Sequence, residues 1–161
     1  MVILVMGVAG CGKTTVGRQL AVELGWKFIE ADDFHPPANV AKMAAGHPLT
    51  DEDRAPWLAA LRVEIDRRLA RQESAVVTCS ALKERYRKVI VANPEQVKIV
   101  HLHGSVELLR ARISGRVGHF MPPALLDSQL AALESPTDAL TLDVVHPPEA
   151  LVAQIRRAFV V

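Results

Sequence analysis

The sequence predicts an α/β fold built around a parallel sheet, and three observations support this prediction. Short runs rich in Val and Ile alternate along the chain with longer segments that have the apolar spacing of helices. These runs lack polar alternation, which is typical of strands buried on both faces of a parallel sheet. A glycine-rich segment, residues 7–13, joins the first run to the first helical segment. Because 50% of the 161 residues are hydrophobic, we expect one domain over residues 1–161 with a sizeable core.

The first part of the chain contains the elements around the glycine-rich segment. The predicted strands here are Val2–Met6, Lys27–Glu30 and Ala75–Cys79. The first helix, Lys13–Leu24, has apolar residues at every fourth position and ends at Gly25. A Pro-containing loop, residues 32–37, leads into a short helix that ends before Gly46.

The long helix and the elements after it complete the prediction. Asp51 is the candidate N-cap of a helix over residues 53–72, with Pro56 in its first turn. Further helices are predicted at 82–92, 106–113, 124–133 and 149–159, and further strands at 97–102 and 141–145. The charged, Gly-containing stretch 114–118 predicts a mobile lid at about 112–122.

The charge balance and the cysteine content limit the classes of partner and compartment. The 19 Lys and Arg residues nearly balance the 18 Asp and Glu residues, so a small molecule is a more suitable partner than nucleic acid. Cys11 and Cys79 show neither a disulfide framework nor metal-ligand spacing, which favours a reducing cytoplasm. A thiol near a helix start can have a lowered pKa, but we interpret Cys11 as buried and inert. The apolar run 1–6 is too short to span a membrane, and we expect no membrane association.

The glycine-rich segment matches the pattern G-x-x-x-x-G-K-[ST] of a phosphate-binding loop, or P-loop. Its residues are Gly7, Val8, Ala9, Gly10, Cys11, Gly12, Lys13 and Thr14, between a predicted strand and a predicted helix, as the motif requires. The glycines let backbone N–H groups approach phosphates at the positive end of the helix. We predict that ATP binds to this loop and to Thr15, with Lys13 at the β- and γ-phosphates. The Thr14 hydroxyl is the predicted Mg²⁺ ligand.

A P-loop defines nucleotide binding but not the reaction, so motor, switch, transporter and kinase functions remain open at this point. Asp32 and Asp33 follow the second predicted strand, whose carboxyl end shares an edge of the sheet with the P-loop. A carboxylate there can orient an acceptor hydroxyl and take its proton. The alternative is that both aspartates cap a helix or lie in a solvated loop. The third strand ends at Ser80 and not at an aspartate, so we expect Thr14 and phosphate oxygens to hold Mg²⁺, with Asp32 acting through water.

Several sequence blocks carry a resemblance to a known family. They are A-D-D-F-H-P at 31–36, K-M at 42–43, P-L-T-D-E-D-R-A-P-W-L at 48–58, C-S-A-L-K at 79–83, G-H-F at 118–120 and S-Q-L at 128–130. With these blocks and the P-loop, spread over nearly the whole chain in the family's order, the sequence resembles the gluconokinases. The D-x-D-R-x-P-W-L and C-S-A-L-K blocks are far more specific than the P-loop.

The resemblance implies a fold, a reaction and an assembly. The implied fold is a P-loop NTPase of the nucleoside-monophosphate-kinase type, with a five-stranded parallel sheet flanked by helices and a moving lid. The implied reaction converts ATP and D-gluconate to ADP and 6-phosphogluconate, and the implied assembly is a homodimer. Asp32 is then the expected general base, three residues before His35 in the D-x-x-H-P block. The role of Asp33 stays open.

The resemblance also indicates which residues contact the acceptor. Arg54 is the expected partner of the gluconate carboxylate, because a guanidinium can bind a planar carboxylate through two parallel hydrogen bonds. Lys83 follows the third strand and can bind the carboxylate or a transferring phosphoryl oxygen. His35, His119 of the lid and Gln129 are candidates for contact with acceptor hydroxyls. For each of these five residues the alternative is an ordinary surface, loop or packing role.

Two arginines flank Gly115 at the start of the predicted lid. Arg116 is the candidate catalytic arginine and Arg112 a candidate nucleotide contact, because a lid cation can neutralise charge on the transferred group. The alternative for both is a solvated arginine at a helix end. We expect the adenine between the lid helix and residues 145–148. The other histidines are interpreted as structural: His47, His101, His103 and His146.

Two other functions remain open. A kinase of the same fold can act on shikimate or on a nucleotide, and a panel of acceptors would separate it from a gluconate kinase. A non-enzymatic ATP-binding module would keep the P-loop and turn over no acceptor. Asp32, Arg54 and Lys83 argue against the module, because a pure binding module has no use for an acceptor pocket.

Overall fold

Five parallel strands form the central sheet of the computed structural model, which describes residues 1–115 and 123–161. The strands are β1 (Val2–Met6), β2 (Lys27–Glu30), β3 (Ala75–Cys79), β4 (Val97–His103) and β5 (Leu140–Asp143). Their order across the sheet is β2-β3-β1-β4-β5, and each neighbouring pair is parallel. The predicted α/β class and five-stranded parallel sheet are therefore confirmed.

Helices connect the strands in the described part of the chain. They are α1 (Lys13–Leu24), α2 (Pro37–Ala44), α3 (Asp51–Ala70), α4 (Glu84–Ile90), α5 (Val106–Ser114), α6 (Pro123–Ala132), α7 (Pro148–Phe159) and a short 3-10 helix (Ala31–Phe34). Within residues 1–115 and 123–161, no helix is long and apolar enough to cross a membrane.

Alternate residues of β1 pack on opposite faces of the sheet, which explains why this strand has no polar position. Ile3 and Val5 belong to the core under α1, α5, α6 and α7, whereas Val2, Leu4 and Met6 belong to the core under α3 and α4. All five side chains are fully buried. Helices on both faces are what a parallel sheet needs to bury its two apolar surfaces.

The long helix α3 begins at Asp51, two residues earlier than predicted, and its N-cap is Thr50 and not Asp51. The Thr50 hydroxyl accepts from the Asp53 N–H at 3.1 Å, and the Asp53 carboxylate accepts from the Thr50 N–H at 2.8 Å. The pair forms a capping box. Asp53 also accepts from Lys42 Nζ at 2.5 Å, and this hydrogen bond is the main cause that lowers the pKa of Asp53 to about 2. Lys42 thereby ties α2 to the start of α3.

Trp57 joins α3 to the segment after β2. Its indole Nε1 donates to the Ala31 carbonyl oxygen at 2.7 Å, and the residue is 3% exposed. Trp57→Phe leaves this buried carbonyl without its donor, so we expect the free energy of unfolding to fall by about 1–3 kcal/mol. Urea unfolding measures the loss, with Trp26→Phe at the core edge as the matched control. A change within about 0.5 kcal/mol, as for a surface substitution, would contradict the expectation.

The carboxyl ends of all five strands meet at one edge of the sheet because the strands are parallel. The segments that follow β1, β2 and β3 there are the P-loop, the 3-10 helix with Asp32, and the turn with Lys83. Since β3 lies between β1 and β2, these three segments are neighbours. The fold therefore brings the predicted ATP-binding and acceptor-binding residues to the same edge.

Candidate active site

The P-loop has the backbone conformation that its glycines predict. Gly12 has φ 89° directly before α1, in the left-handed region that favours glycine. A Cβ at Gly12 would meet nothing within 4 Å, so open space lies in front of the first turn of α1. At Gly7, φ is 148° and a Cβ would lie 2.5 Å from the Leu102 carbonyl oxygen, which only glycine avoids. The loop thus offers amides and space for an anion at the positive end of a helix.

Lys13 lies along the P-loop. Its Nζ donates to the carbonyl oxygen of Val8 at 3.1 Å. This hydrogen bond holds the ammonium group at the loop, next to the amides of α1. The donor set therefore consists of backbone N–H groups and one cation, which is the set that a phosphate chain requires.

A cavity of about 280 Å³ extends from the P-loop toward the connection between β5 and α7. Thr15 lines it from α1, Arg112 from α5, and His146 and Pro148 from the connection. Arg112 is held there by a hydrogen bond to the Val144 carbonyl oxygen at 2.5 Å. This is the region in which the sequence predicts the adenine. His146, which the sequence indicates to be structural, lies in the wall of this cavity, in the turn after β5.

Cys11 belongs to the P-loop and also to the core. It is 1% exposed. Burial raises the pKa of its thiol, and this effect outweighs the opposite influence of the Lys13 charge. The interpretation of Cys11 as a buried, unreactive thiol agrees with these surroundings.

Glu30 is a functional candidate that the sequence analysis missed. Its Oε2 accepts from the Thr14 hydroxyl at 3.0 Å, and its Oε1 accepts from the Thr78 hydroxyl at 2.7 Å. It is the last residue of β2 and pairs with Thr78 of β3. The carboxylate that contacts Thr14 is therefore that of Glu30, whereas the sequence indicated Thr14 and phosphate oxygens, with Asp32 through water, as the support of the metal. The acidic residue at the end of the second predicted strand was the signal in the sequence.

Asp32 lies in the 3-10 helix after β2 with its side chain 79% exposed, and His35 faces it from the buried side. The distance between His35 Nε2 and Asp32 Oδ1 is 4.0 Å. The His35 ring stacks on Trp57, with 4.3 Å between ring centroids. Burial is the main cause that lowers the pKa of His35; the Asp32 charge opposes it and the Arg54 charge adds to it. His35 is thus a neutral, fixed neighbour of Asp32 at neutral pH.

Lys13, Glu30 and Asp32 lie around the carboxyl end of β3. Burial raises the pKa of the Cys79 thiol there to about 12, and the charges of all three residues act on it. The two carboxylates raise this pKa and Lys13 lowers it. The P-loop and the segment with the candidate base both lie at this end of the sheet, after the neighbouring strands β1 and β2.

Three cations surround the ring of Tyr86 on α4. The distances from the ring centroid are 5.6 Å to Arg54 Cζ, 5.7 Å to Lys83 Nζ and 5.6 Å to Arg85 Cζ. The Tyr86 hydroxyl and Arg85 both donate to the Asp51 carboxylate, and Lys83 Nζ lies 3.7 Å from it. The Tyr86 hydrogen bond is the main cause that lowers the pKa of Asp51, and Arg85 and Lys83 act in the same direction. This cation cluster, Arg54, Lys83 and Arg85, exceeds its one carboxylate in charge and suits an acidic ligand.

Arg54 is held by its backbone surroundings as well as by Tyr86. Its Nη1 donates to the Leu49 carbonyl oxygen at 2.6 Å. A cation in the first turn of a helix is disfavoured by the helix dipole, and this hydrogen bond offsets that cost. The structure therefore holds the Arg54 side chain between the Leu49 carbonyl oxygen and the Tyr86 ring.

The turn between β3 and α4 presents Lys83 from a strained backbone. Ala81 has φ 44°, a conformation that residues with a Cβ rarely adopt. Arg87, which is 6% exposed, holds the turn by donating to the carbonyl oxygens of Ala81 at 2.9 Å and Leu82 at 3.1 Å. Lys83 is consequently the N-cap of α4, and the helix predicted from residue 82 begins two residues later.

Gln129 contacts the P-loop from α6. Its Oε1 accepts a hydrogen bond from the Ala9 N–H at 2.7 Å. The family resemblance predicts contact between Gln129 and acceptor hydroxyls, and the structure adds this contact with the P-loop backbone. Arg116, His119 and lid residues 116–122 lie outside the described residues, so their roles stay predictions.

Fold and site together define the class of protein. A parallel sheet with a P-loop after β1, and with a carboxylate and cations at the same edge, defines a P-loop kinase. Residues 2–136 match the family model of the AAA domain. A sugar kinase from Janibacter sp. HTCC2649 has a similar structure, with a TM-score of 0.88 and 47% identity over 97% of this chain and 92% of that chain.

The relatives identify the family within this class. A gluconokinase from Gluconobacter oxydans is 51% identical over 136 residues, which cover 84% of this chain and 76% of that protein. The crystal structure of a gluconokinase from Sinorhizobium meliloti 1021 has a TM-score of 0.81 and 43% identity, over 98% of this chain and 94% of that chain. The chain belongs to the gluconokinase family, and the resemblance noted in its sequence is confirmed.

Proposed function

We propose that this chain transfers the γ-phosphoryl group of ATP to the terminal hydroxyl of D-gluconate, giving ADP and 6-phosphogluconate. The observation that carries the proposal is the position of Asp32, in the segment after β2 at the sheet edge that also carries the P-loop and the turn with Lys83. A carboxylate at this edge can take the proton of a hydroxyl whose molecule is bound at one end by cations. The gluconokinase relatives support gluconate as that molecule and do not favour a shikimate kinase, a nucleotide kinase or a non-enzymatic module.

The donor side of the reaction uses the P-loop. The amides at the start of α1 bind the phosphate chain of ATP, and Lys13 neutralises charge on the γ-phosphoryl oxygens. The hydroxyl of Thr14, with Glu30 3.0 Å away, would hold Mg²⁺, which supplies charge neutralisation at the phosphoryl oxygens when bound. Hydroxyl and carboxylate oxygens fit this ion, because Mg²⁺ takes oxygen ligands and retains several waters.

The transfer step uses Asp32. The acceptor hydroxyl oxygen forms a bond to the γ-phosphorus while the bond from phosphorus to the β–γ bridging oxygen breaks and its electron pair leaves with ADP. The hydroxyl proton passes to the Asp32 carboxylate and from there to solvent, to which this side chain is exposed. His35, fixed on Trp57, limits the directions that the Asp32 carboxylate can take.

Lys83→Ala is expected to raise the KM for gluconate by about 10–100-fold and to change kcat much less. Lys83 belongs to the cation cluster, and its charge binds the gluconate carboxylate equally before and during transfer. Steady-state kinetics at saturating MgATP measure both constants. Lys88→Ala is the matched control, because Lys88 lies on the same helix and pairs with Glu84 on the surface. A fall in kcat at unchanged KM would instead assign Lys83 to a phosphoryl oxygen.

The proposed function is tested by ADP release from MgATP in the presence of single acceptors. The panel contains D-gluconate, its epimers, shikimate and nucleoside monophosphates. A rate that depends on gluconate and exceeds all others supports the proposal. A rate with another acceptor alone would leave the kinase class in place and overturn the assignment of gluconate, and ATP binding without any turnover would support the non-enzymatic module.

Three further properties belong to the proposal. A lid over residues 112–122 closes on the site and brings Arg116 and His119 to it, as the resemblance implies. The chain forms a homodimer, which sedimentation equilibrium tests. Its place is the cytoplasm, which the two free, buried cysteines suit.

A further inference from the structure

The C-terminal part of α6 and the residues just after it contact both halves of the active site. Gln129 accepts from the Ala9 N–H of the P-loop at 2.7 Å. Glu134 donates its backbone N–H to the Leu82 carbonyl oxygen at 2.8 Å, and its Oε2 accepts from the Glu84 N–H at 2.6 Å. Leu82 and Glu84 flank Lys83. One short segment, residues 129–134, therefore touches the P-loop and the turn that carries Lys83.

Helix α6 is fixed to the rest of the protein by other side chains. Leu126 is 1% exposed and belongs to the core that also contains residues of α1, α5 and α7. Asp127 accepts from Arg110 Nη2 at 2.8 Å, which joins α6 to α5. The buried leucine supplies most of this anchoring, because exposed ion pairs contribute little. Gln129 is thus presented from a helix with a defined position, and Glu134 follows the end of that helix by two residues.

The contact at Ala9 has a clear physical reason. Ala9 is 8% exposed, and a buried backbone N–H needs an acceptor. Gln129 supplies this acceptor from outside the loop. A P-loop whose backbone is held at Ala9 keeps its curvature, and with it the directions of the neighbouring amides that bind phosphate.

The contacts of Glu134 support the strained turn that carries Lys83. Ala81 is strained at φ 44°, and a strained turn persists only where its surroundings hold it. Arg87 holds this turn through its side chain from α4. Glu134 holds it through two hydrogen bonds from the segment after α6. The position of Lys83 therefore depends in part on Glu134.

We propose that residues 129–134 act as a spacer that sets the distance between the ATP-binding and the acceptor-binding parts of the site. Gln129 and Glu134 are its positioning residues: the first acts through the Ala9 N–H and the second through the turn with Lys83. The inference rests on the proposed phosphoryl transfer. Such a step needs reacting atoms about 3–3.5 Å apart, and a displacement of about 1 Å can cost about 10²-fold in rate.

Four single variants and one double variant test the spacer. Gln129→Met keeps the side-chain length and removes the acceptor oxygen, and Glu134→Ala removes the carboxylate. Glu134→Gln keeps an oxygen that can accept from the Glu84 N–H and serves as the conservative rescue. Ser128→Ala is the matched control, because the Ser128 hydroxyl donates within α6, to the Leu125 carbonyl oxygen at 2.9 Å.

The spacer predicts a loss of kcat without a matching loss of binding. Gln129→Met and Glu134→Ala are each expected to lower kcat about tenfold, with both KM values within about threefold of the unchanged protein. Glu134→Gln and Ser128→Ala are expected to stay within about twofold in kcat. The Gln129→Met/Glu134→Ala double variant is expected to fall less than the product of the two losses, because a spacer that is released at one end cannot be released again.

Amide hydrogen exchange at Ala9, followed by NMR, gives a readout that needs no catalysis. Gln129→Met is expected to speed this exchange at least about tenfold, and Ser128→Ala is expected to leave it unchanged. If the protein uses an acceptor other than gluconate, kcat and KM of the variants are measured with that acceptor. A result that contradicts the spacer is then distinguished from a result that contradicts the assignment of gluconate.

Four results would each overturn the spacer. They are unchanged exchange at Ala9 in Gln129→Met, fully multiplicative losses in the double variant, a rise in the KM for gluconate as the main effect of Gln129→Met, and tighter ATP binding by that variant. The third would show direct contact between Gln129 and the acceptor. The fourth would show that its oxygen only occupies the place of a phosphate oxygen.

Discussion

Replacement of Asp32 by Asn is expected to lower kcat by about 10²–10⁴-fold while ATP binding persists. Asparagine keeps the size of the side chain and one oxygen that can orient a hydroxyl, but it cannot take up the proton. Asp32 faces His35 and has an exposed carboxylate at the edge that carries the P-loop, so the loss falls on the chemical step. Steady-state kinetics give kcat, and calorimetric titration gives the affinity for MgATP.

The matched control for this prediction is Asp33→Asn. Asp33 is exposed in the same 3-10 helix, and the contact with His35 and the charge effect on Cys79 belong to Asp32. We expect kcat of Asp33→Asn to stay within about threefold, as for a charge without a role in the transition state. Near-normal turnover of Asp32→Asn, combined with a large loss in Asp33→Asn, would transfer the role of base to Asp33.

Lys13→Met is expected to lower kcat by about 10²–10³-fold, the usual scale for one lost donor to developing charge. The ammonium group of Lys13 lies at the P-loop through its hydrogen bond to Val8, and methionine of similar length supplies neither charge nor donor. Charge that builds up on the phosphoryl oxygens is then left without this partner. We expect the affinity for ATP to fall as well, because the ground-state phosphates lose the same contact.

Lys13→Arg and Lys27→Met complete this experiment. Arginine keeps the charge but is planar and larger, so it is expected to restore only part of the lost rate. Lys27 begins β2 at the opposite end of the strand from Glu30, and its replacement is expected to leave kcat within about twofold. Equal kcat values for Lys13→Met and the unchanged protein would contradict the donor side of the mechanism.

Local patterns were sufficient for most of the fold. The apolar run at Val2–Met6 predicted a strand buried on both faces, and the conformation of Gly12 is the one that a P-loop before a helix demands. These features depend on neighbours along the chain, so a single sequence contains them. The N-cap of α3 was misplaced by one residue because Asp51 and Thr50 are both good N-caps, and only the hydrogen bonds of Asp53 distinguish them.

The site was less predictable where residues meet across the fold. Glu30 reaches Thr14 because α1 packs against both β3 and β2, and this packing is not written in local spacing. Arg85 lies in a helix that the sequence shows only as basic and amphipathic. Its approach to Asp51 depends on the packing of α3 against α4. These contacts join residues that are far apart along the chain, and no single-sequence periodicity reports them.

The ion pairs of Asp51 mean that the cation cluster holds one carboxylate of the protein itself before any acidic ligand binds. Without this carboxylate, the positive charges of Arg85, Lys83 and Arg54 would repel one another. Asp51 therefore allows the three cations to lie close together in the absence of a ligand. Under the proposed function, the carboxylate of gluconate therefore competes with Asp51 for the same three cations. This competition lowers the affinity for gluconate, and it equally favours release of the phosphorylated product, which carries the same carboxylate. An enzyme must release its product after each turnover, and a limited affinity of the cation cluster for carboxylates permits this release.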